Sequence, residues 1–169
     1  MADQHADTGP VTGVPRLPPG RSVESSIRRD RDGRWYHDGQ LVDHEGVRRS
    51  FDAWIERHEN GRYVVKNNVN WAFVEIEGAP VFVRTLRIHP DGLALLLSDG
   101  RTERLRSDTL RQDAEGRLYC QVRFDRLTAE FSRRATLELE PIVEETDTGI
   151  ALRIAGHLVT PPITDRPVR

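Results

Sequence analysis

The sequence predicts an α+β protein, mostly antiparallel β with two main helices. Three observations predict it. Short alternating apolar runs recur between Asp-Gly and Asn-Gly pairs, the residues of tight hairpin turns. Residues 43–60 carry an apolar stripe at helical spacing. The passage from Val69 to Arg84 holds two apolar runs on either side of Gly78-Ala79-Pro80. In its first run Phe73, Glu75 and Glu77 share one side of an extended chain, with Val74 and Ile76 on the other. Pro80 fixes its own φ and offers no N–H, so the ladder breaks there. Val81 and Val83 then resume the pattern with Phe82 opposite. The passage reads as two core strands joined by a tight corner.

Taken in order, the chain opens with glycines, prolines and almost no large apolar side chain through residue 22, a flexible tail. Order is expected from about Ile27. Asp32-Gly33 and Asp38-Gly39 are hairpin turns flanking Trp35 and His37, and Gln40 to Val42 returns as a short strand. Asp43 offers an N-cap side chain and Glu45 an acidic first turn. Val47, Phe51, Trp54 and Ile55 form one stripe, with Arg48, Arg49, Asp52, Glu56 and Arg57 on the solvent side. Asn60-Gly61 ends this helix, since glycine adopts a positive φ at no steric cost. Arg62 to Val65 follows as a strand.

Beyond Arg84, strands are expected through Ile88, Leu93 to Leu97, Thr102 to Leu105, Leu118 to Phe124 and Leu127 to Phe131. Ser107-Asp108 caps a short helical turn. Ser132 caps a helix toward Val143, which Pro141 ends or kinks near Leu139 or Glu140. Ile150 to Ile154 and Leu158-Val159 close the chain as a hairpin across Ala155-Gly156.

One pattern repeats. Asn60-Gly61-Arg62-Tyr63 resembles Glu115-Gly116-Arg117-Leu118-Tyr119, and each follows two Asp-Gly turns. Two copies of one supersecondary unit sharing a central sheet seam would produce this. So would independent use of a cheap turn. The expected division is a tail over residues 1–22, an N-terminal β/α half over 23–88, a C-terminal half over 89–160 and a second tail over 161–169.

Several motifs resemble the DUF1285 family of bacterial proteins. They are Asp32-Gly33-Arg34-Trp35-Tyr36-His37-Asp38-Gly39, Asn60-Gly61-Arg62-Tyr63, the run Val74 to Pro80, Ala129-Glu130-Phe131-Ser132-Arg133 and the closing hairpin. Together they cover about residues 27 to 160. The resemblance implies a mostly β, α+β fold with repeated motifs. It also implies a signalling or ligand-sensing role and brings no catalytic residues. Where the family pattern has a Glu-Lys pair after the valine at Val69, this chain has Asn70-Trp71, so no site built on that pair is carried over.

Size and charge narrow the function classes. A chain of 169 residues is one domain or two small ones and buries about 70% of its unfolded surface. No run of about 18 apolar residues exists, so no spanning helix is expected. The Met1-Ala2-Asp3-Gln4-His5 start has no basic and apolar signal. The one cysteine, Cys120, leaves no internal disulfide and fits a reducing compartment, so a cytoplasmic location is expected. The 25 basic and 27 acidic residues are interspersed, which argues against nucleic acid or a membrane as partner.

The histidines lack metal-pair spacing, no Gly-rich phosphate loop is present, and Cys120 reads as a small core residue. No metal, cofactor or catalytic residue is therefore assigned. The best binding candidate is the polar patch Asn67, Asn68 and Asn70 with Trp71, where amides could orient a small ligand against an aromatic wall. An ordinary loop uses the same residues. Glu75 and Arg84 complete this candidate set, with Arg62 and Arg87 as further anion ligands. The expected function is a non-enzymatic ligand-sensing or adaptor module for a small molecule or a protein, with a place in bacterial signal transduction. One alternative is a hydrolase-type enzyme using Glu75 or Glu77 with a histidine, which needs both carboxylates in a dry cleft. The other is a self-associating structural protein, such as a homodimer, with an exposed apolar face.

Overall fold

The computed structural model describes residues 23–147 and 149–165. The tail expected over residues 1–22, and the end of the second from residue 166, lie outside the described residues. Among the described residues, fifteen strands form three sheets, with two short α-helices.

The first sheet holds β1 (Glu24–Arg29), β2 (Trp35–His37), β3 (Gln40–Leu41), β4 (Ile55–Arg57), β5 (Tyr63–Lys66) and β6 (Trp71–Ile76), in the order β3-β2-β1-β6-β5-β4. The second holds β7 (Val81–His89), β8 (Gly92–Leu97), β9 (Thr102–Arg104), β10 (Arg111–Gln112), β11 (Leu118–Val122) and β12 (Leu127–Phe131), in the order β10-β11-β12-β7-β8-β9. In both sheets the outer pairs are antiparallel. The central pairs, β1 with β6 and β7 with β12, are parallel. The third sheet is the meander β13 (Val143–Thr146), β14 (Gly149–Ile154) and β15 (His157–Val159).

The corner at Gly78-Ala79-Pro80 is where the chain changes sheet. The strands on either side of it do not pair with each other. Each is one member of the parallel pair in the middle of its own sheet, so the seam is packing rather than a shared ladder. The junction expected at residues 88–89 falls inside the β7–β8 hairpin. One apolar cluster spans the seam, joining Trp35, Ile55, Val65 and Val74 to Val81, Val83, Leu95 and Phe131. Within the second sheet, Ser98 N–H donates to the Phe82 carbonyl at 2.8 Å and Ser132 N–H to the Val83 carbonyl at 3.0 Å, extending the ladders to β7 past the ends of β8 and β12.

Four hairpin turns share one geometry. Gly33, Gly61, Gly100 and Gly116 have φ of +82, +86, +84 and +79°, and an arginine follows each. In each, the N–H four residues before that arginine donates to its carbonyl, at 3.0, 2.8, 2.8 and 3.1 Å. These are short loops closed by a residue in the left-handed region, where a glycine costs nothing.

The first helix differs from expectation. α1 spans Glu45–Trp54 rather than running from Asp43 to Asn60. Its N-cap is His44, with no side-chain cap bond. Ile55 leaves the helix at ψ 128° and begins β4, and Asn60-Gly61 turns β4 into β5. The stripe is imperfect too: Val47 is exposed while Asp52, placed on the solvent side from the sequence, is buried. The second helix, α2 (Arg133–Leu137), is shorter than expected, and Pro141 sits in a 3₁₀ turn over Glu140–Ile142. Ser132 caps it as expected, accepting from Ala135 N–H at 3.2 Å. Part of the second expected tail is ordered: Gln112 N–H donates to the Pro162 carbonyl and Thr164 N–H to the Gln112 carbonyl, at 3.0 and 2.8 Å. Proline lacks an N–H but keeps its carbonyl, so a Pro-Pro segment can still edge a strand. Among the described residues no helix is long and apolar enough to cross a membrane.

Candidate functional site

The seam between the first two sheets buries a charged cluster. Along β1 successive side chains face opposite ways. Arg28 turns outward over the Tyr36 ring at 4.1 Å, and Arg29 turns inward. Arg29 is 1% exposed. Its Nη1 donates to the Pro80 carbonyl, and its guanidinium lies 4.6 Å from the Phe82 ring centroid and 5.6 Å from that of Trp35. Its Nη2 is 3.8 Å from Asp52 Oδ1, an ion pair but longer than a hydrogen bond. Its Nε is buried with no acceptor.

Asp52 enters this cluster from the last turn of α1. Trp35 Nε1 donates to its Oδ1 at 3.0 Å, and Arg84 Nη2 approaches its Oδ2 at 4.0 Å. Burial pushes the Asp52 carboxyl above its usual range, against the pull of Arg29 and the Trp35 bond. Burial likewise lowers the Arg29 guanidinium from its ordinary value, opposed by Asp52. The two are mutually necessary, because a buried charge without a partner is costly.

A cavity of about 360 Å³ opens on this cluster, lined among others by Arg29, Asp52, Phe82, Arg84, Ser98 and Ser132. The first two come from the first sheet and its helix, the rest from the second sheet and the start of α2. Gly33 closes one side: a Cβ there would stand 3.0 Å from the Phe82 ring and 3.3 Å from Arg29 Nη2.

A larger cleft, about 610 Å³, is lined in part by Ala53, Ile55 and Arg57, at the end of α1 and just beyond it. It runs between β4, β9 and the β11–β12 turn. Arg123 fixes its floor. Nη1 donates to the Ile55 carbonyl at 2.6 Å and Nη2 to the Asp52 carbonyl at 3.0 Å. The same guanidinium pairs with Asp99, whose side chain is fully buried.

The six residues expected at a site do not gather. Asn67 Oδ1 accepts from Val69 and Asn70 N–H at 2.9 and 2.7 Å, so it serves the β5–β6 turn. Asn68 and Asn70 are exposed in that turn. Trp71 stacks on His58 at 5.9 Å and meets Phe73 edge-on at 5.3 Å. Glu75 and Glu77 face solvent, Glu77 at 3.9 Å from Arg28, so neither carboxylate has the dry cleft that acid–base chemistry needs. Arg84 alone among the six lines the seam cavity. Arg62, instead of clamping a ligand, holds Glu24 through both Nη atoms at 2.7 and 2.6 Å. Sequence reasoning missed Arg29 and Asp52. The one available signal was an arginine at an inward position beside Trp35.

Two solved proteins share this architecture. A DUF1285 family protein from Silicibacter pomeroyi DSS-3 aligns with a TM-score of 0.65 at 20% identity, over 80% of this chain and 78% of that one. This is the DUF1285 fold. A second DUF1285 family protein, from Shewanella baltica OS155, aligns at 0.55 and 16% identity, over 66% of this chain and 87% of its own. Both support the family assignment drawn from the motifs. No protein-family model matches the chain, and no protein of curated function matches it. On the DUF1285 scaffold, the Asp32 to Gly39 motif forms the two turns around β2 and brings Trp35 to Asp52.

Proposed function

We propose that the protein is a non-enzymatic, cytoplasmic ligand-sensing module whose ligand is a small organic anion held in the seam cavity. The observation behind it is the buried Arg29. A guanidinium has five N–H donors, and here one Nη donates to a carbonyl while Nε has no acceptor. A buried donor left unmade is expensive, so an acceptor supplied from the cavity would be strongly favoured. A carboxylate or phosphate fits the donor fork, and Arg84 stands ready to share it.

The position supports a signalling or adaptor role. A ligand there would touch both sheets at once and reinforce the packing between them. The matching strand orders and shared Gly-Arg turns support reading the two sheets as copies of one unit, with the ligand at their interface. The solvent-facing carboxylates leave the hydrolase alternative without a cleft.

A thermal-shift series with sodium acetate, succinate and phosphate tests this. A binding anion should raise the apparent Tm by roughly 5–10 °C at a hundredfold excess over Kd. Arg84→Gln, an exposed change, should reduce the shift. A flat response to all three anions contradicts the reading.

A second reading, self-association, is favoured by the third sheet, where Ile150, Leu158 and Val143 are 64, 49 and 43% exposed. Sedimentation would show a mass that rises with concentration. A monomer throughout removes it.

A further inference from the structure

We infer that the cleft beside Phe124 is a second, separate binding site, for a nucleoside phosphate. Its volume of about 610 Å³ suits such a ligand. Six arginines line it, Arg57, Arg101, Arg104, Arg106, Arg123 and Arg126, against three carboxylates, Glu56, Glu103 and Asp125. Four of the six are already committed. Arg101 and Arg123 pair with Asp99, Arg104 with Asp91, and Arg106 with Asp125 and Asp108. Among the described residues no carboxylate pairs with Arg57 or Arg126, and both are exposed at the rim. They are the guanidinium groups available to a phosphate.

Phe124 supplies the second half of the site. It is 95% exposed. A lone exposed phenylalanine would need no explanation. This one is the middle of three successive non-glycine residues with positive φ: Arg123 at 51°, Phe124 at 57° and Asp125 at 64°. Such backbone is disfavoured for L side chains and persists only where its surroundings hold it. Here they do: Arg123 is pinned to Ile55, Asp52 and Asp99, and Arg123 N–H donates to Glu103 at 3.0 Å. The result is a flat ring held at the mouth of an arginine-lined cleft. A nucleobase stacks on such a ring without sequence-like selectivity, while its phosphates reach Arg57 and Arg126.

Isothermal calorimetry on the full chain tests the assignment with ADP, adenosine and inorganic phosphate as probes. ADP should bind, and adenosine should bind at least tenfold more weakly. Phe124→Ala should weaken ADP by about fivefold or more while leaving phosphate unchanged. The double change Arg57→Gln, Arg126→Gln should weaken ADP and phosphate alike, by at least tenfold. All three side chains are exposed, so the variants keep the fold, and a circular dichroism melt verifies it. Arg84→Gln should leave ADP binding unchanged, which separates this site from the seam cavity. No heat with millimolar ADP overturns the assignment. So does ADP binding that survives Phe124→Ala or the double change, or tighter binding of a single-stranded oligonucleotide than of ADP.

Discussion

The two six-stranded sheets follow one strand order, yet they use their interiors differently. A local detail also recurs, at the non-equivalent β1–β2 and β10–β11 turns. Asp30 accepts from Arg34 N–H at 2.8 Å and from the Tyr36 hydroxyl at 3.1 Å. Asp113 accepts from Arg117 N–H at 2.8 Å and from the Tyr119 hydroxyl at 3.1 Å. The contrast lies in what joins the two meanders of each sheet. In the second it is a 3₁₀ turn over Ser107–Thr109, and Leu93, Leu95 and Leu97 there are nearly or fully buried. In the first it is α1, which drives Asp52 inward against Arg29 and Trp35. Both halves bury a charge pair, Arg29 with Asp52 at the seam and Arg123 with Asp99 at the larger cleft; in the first the connecting helix supplies the carboxylate, in the second the β8–β9 turn does. Replacing such a pair by apolar residues is often neutral, whereas removing one member strands a buried charge.

The largest expected break in this contrast is Asp52→Ala. It strips the buried Arg29 of its counter-charge and Trp35 Nε1 of its acceptor, and should cost about 3–5 kcal/mol in urea unfolding. A loss under about 1 kcal/mol would mean that Arg29 is compensated elsewhere. Next comes the turn pair. Asp113→Ala removes one partner of the buried Tyr119 hydroxyl and the acceptor of the Arg117 N–H, and should cost about 1–3 kcal/mol. Asp30→Ala, whose partner Tyr36 is only half-buried, should cost less. Equal losses would show that burial does not distinguish the two turns. Ser132→Ala should then cost about 1 kcal/mol through the lost cap of α2.

The smallest effect is in acid. Bonds from the Thr85 hydroxyl first, then Leu86 N–H and Arg134, hold Glu138 down at about 2. A carboxyl depressed in the folded state gives stability that is full above its ordinary value of 4.5 and is lost as pH falls toward 2. Stability should decline over that window, and Glu138→Gln should flatten part of the decline. Asp52 acts with the opposite sign. Its raised carboxyl favours the folded state at low pH, and that contribution is lost as pH rises past 3.8.

What was legible in the sequence was local. The Asp32-Gly33 and Asp38-Gly39 turns, the Ser132 cap and the closing hairpin each depend on neighbours a few residues apart. The end of α1 was not legible, because Ile55 continues the helical stripe of Phe51 and Trp54 while its backbone has already turned into β4. Asp52 looked solvated because aspartate usually is. Its partners Arg29 and Trp35 lie on other elements, and a long-range pair leaves no local pattern. The expected site failed for the same reason in reverse. Three asparagines mark a turn by their own chemistry, and a turn is what they form. The strand β13 was hidden behind Pro141, which reads as a helix stop rather than as the approach to a strand.

The most direct measurement is a side-chain ¹⁵N NMR titration of the Arg29 Nε–H with acetate or phosphate. A resolved Arg29 resonance that moves saturably, and that moves less in Arg84→Gln, is the predicted result. An Arg29 signal that stays fixed while the anion reaches tens of millimolar, on the order of the weakest small-ligand affinities, would contradict a ligand in the seam.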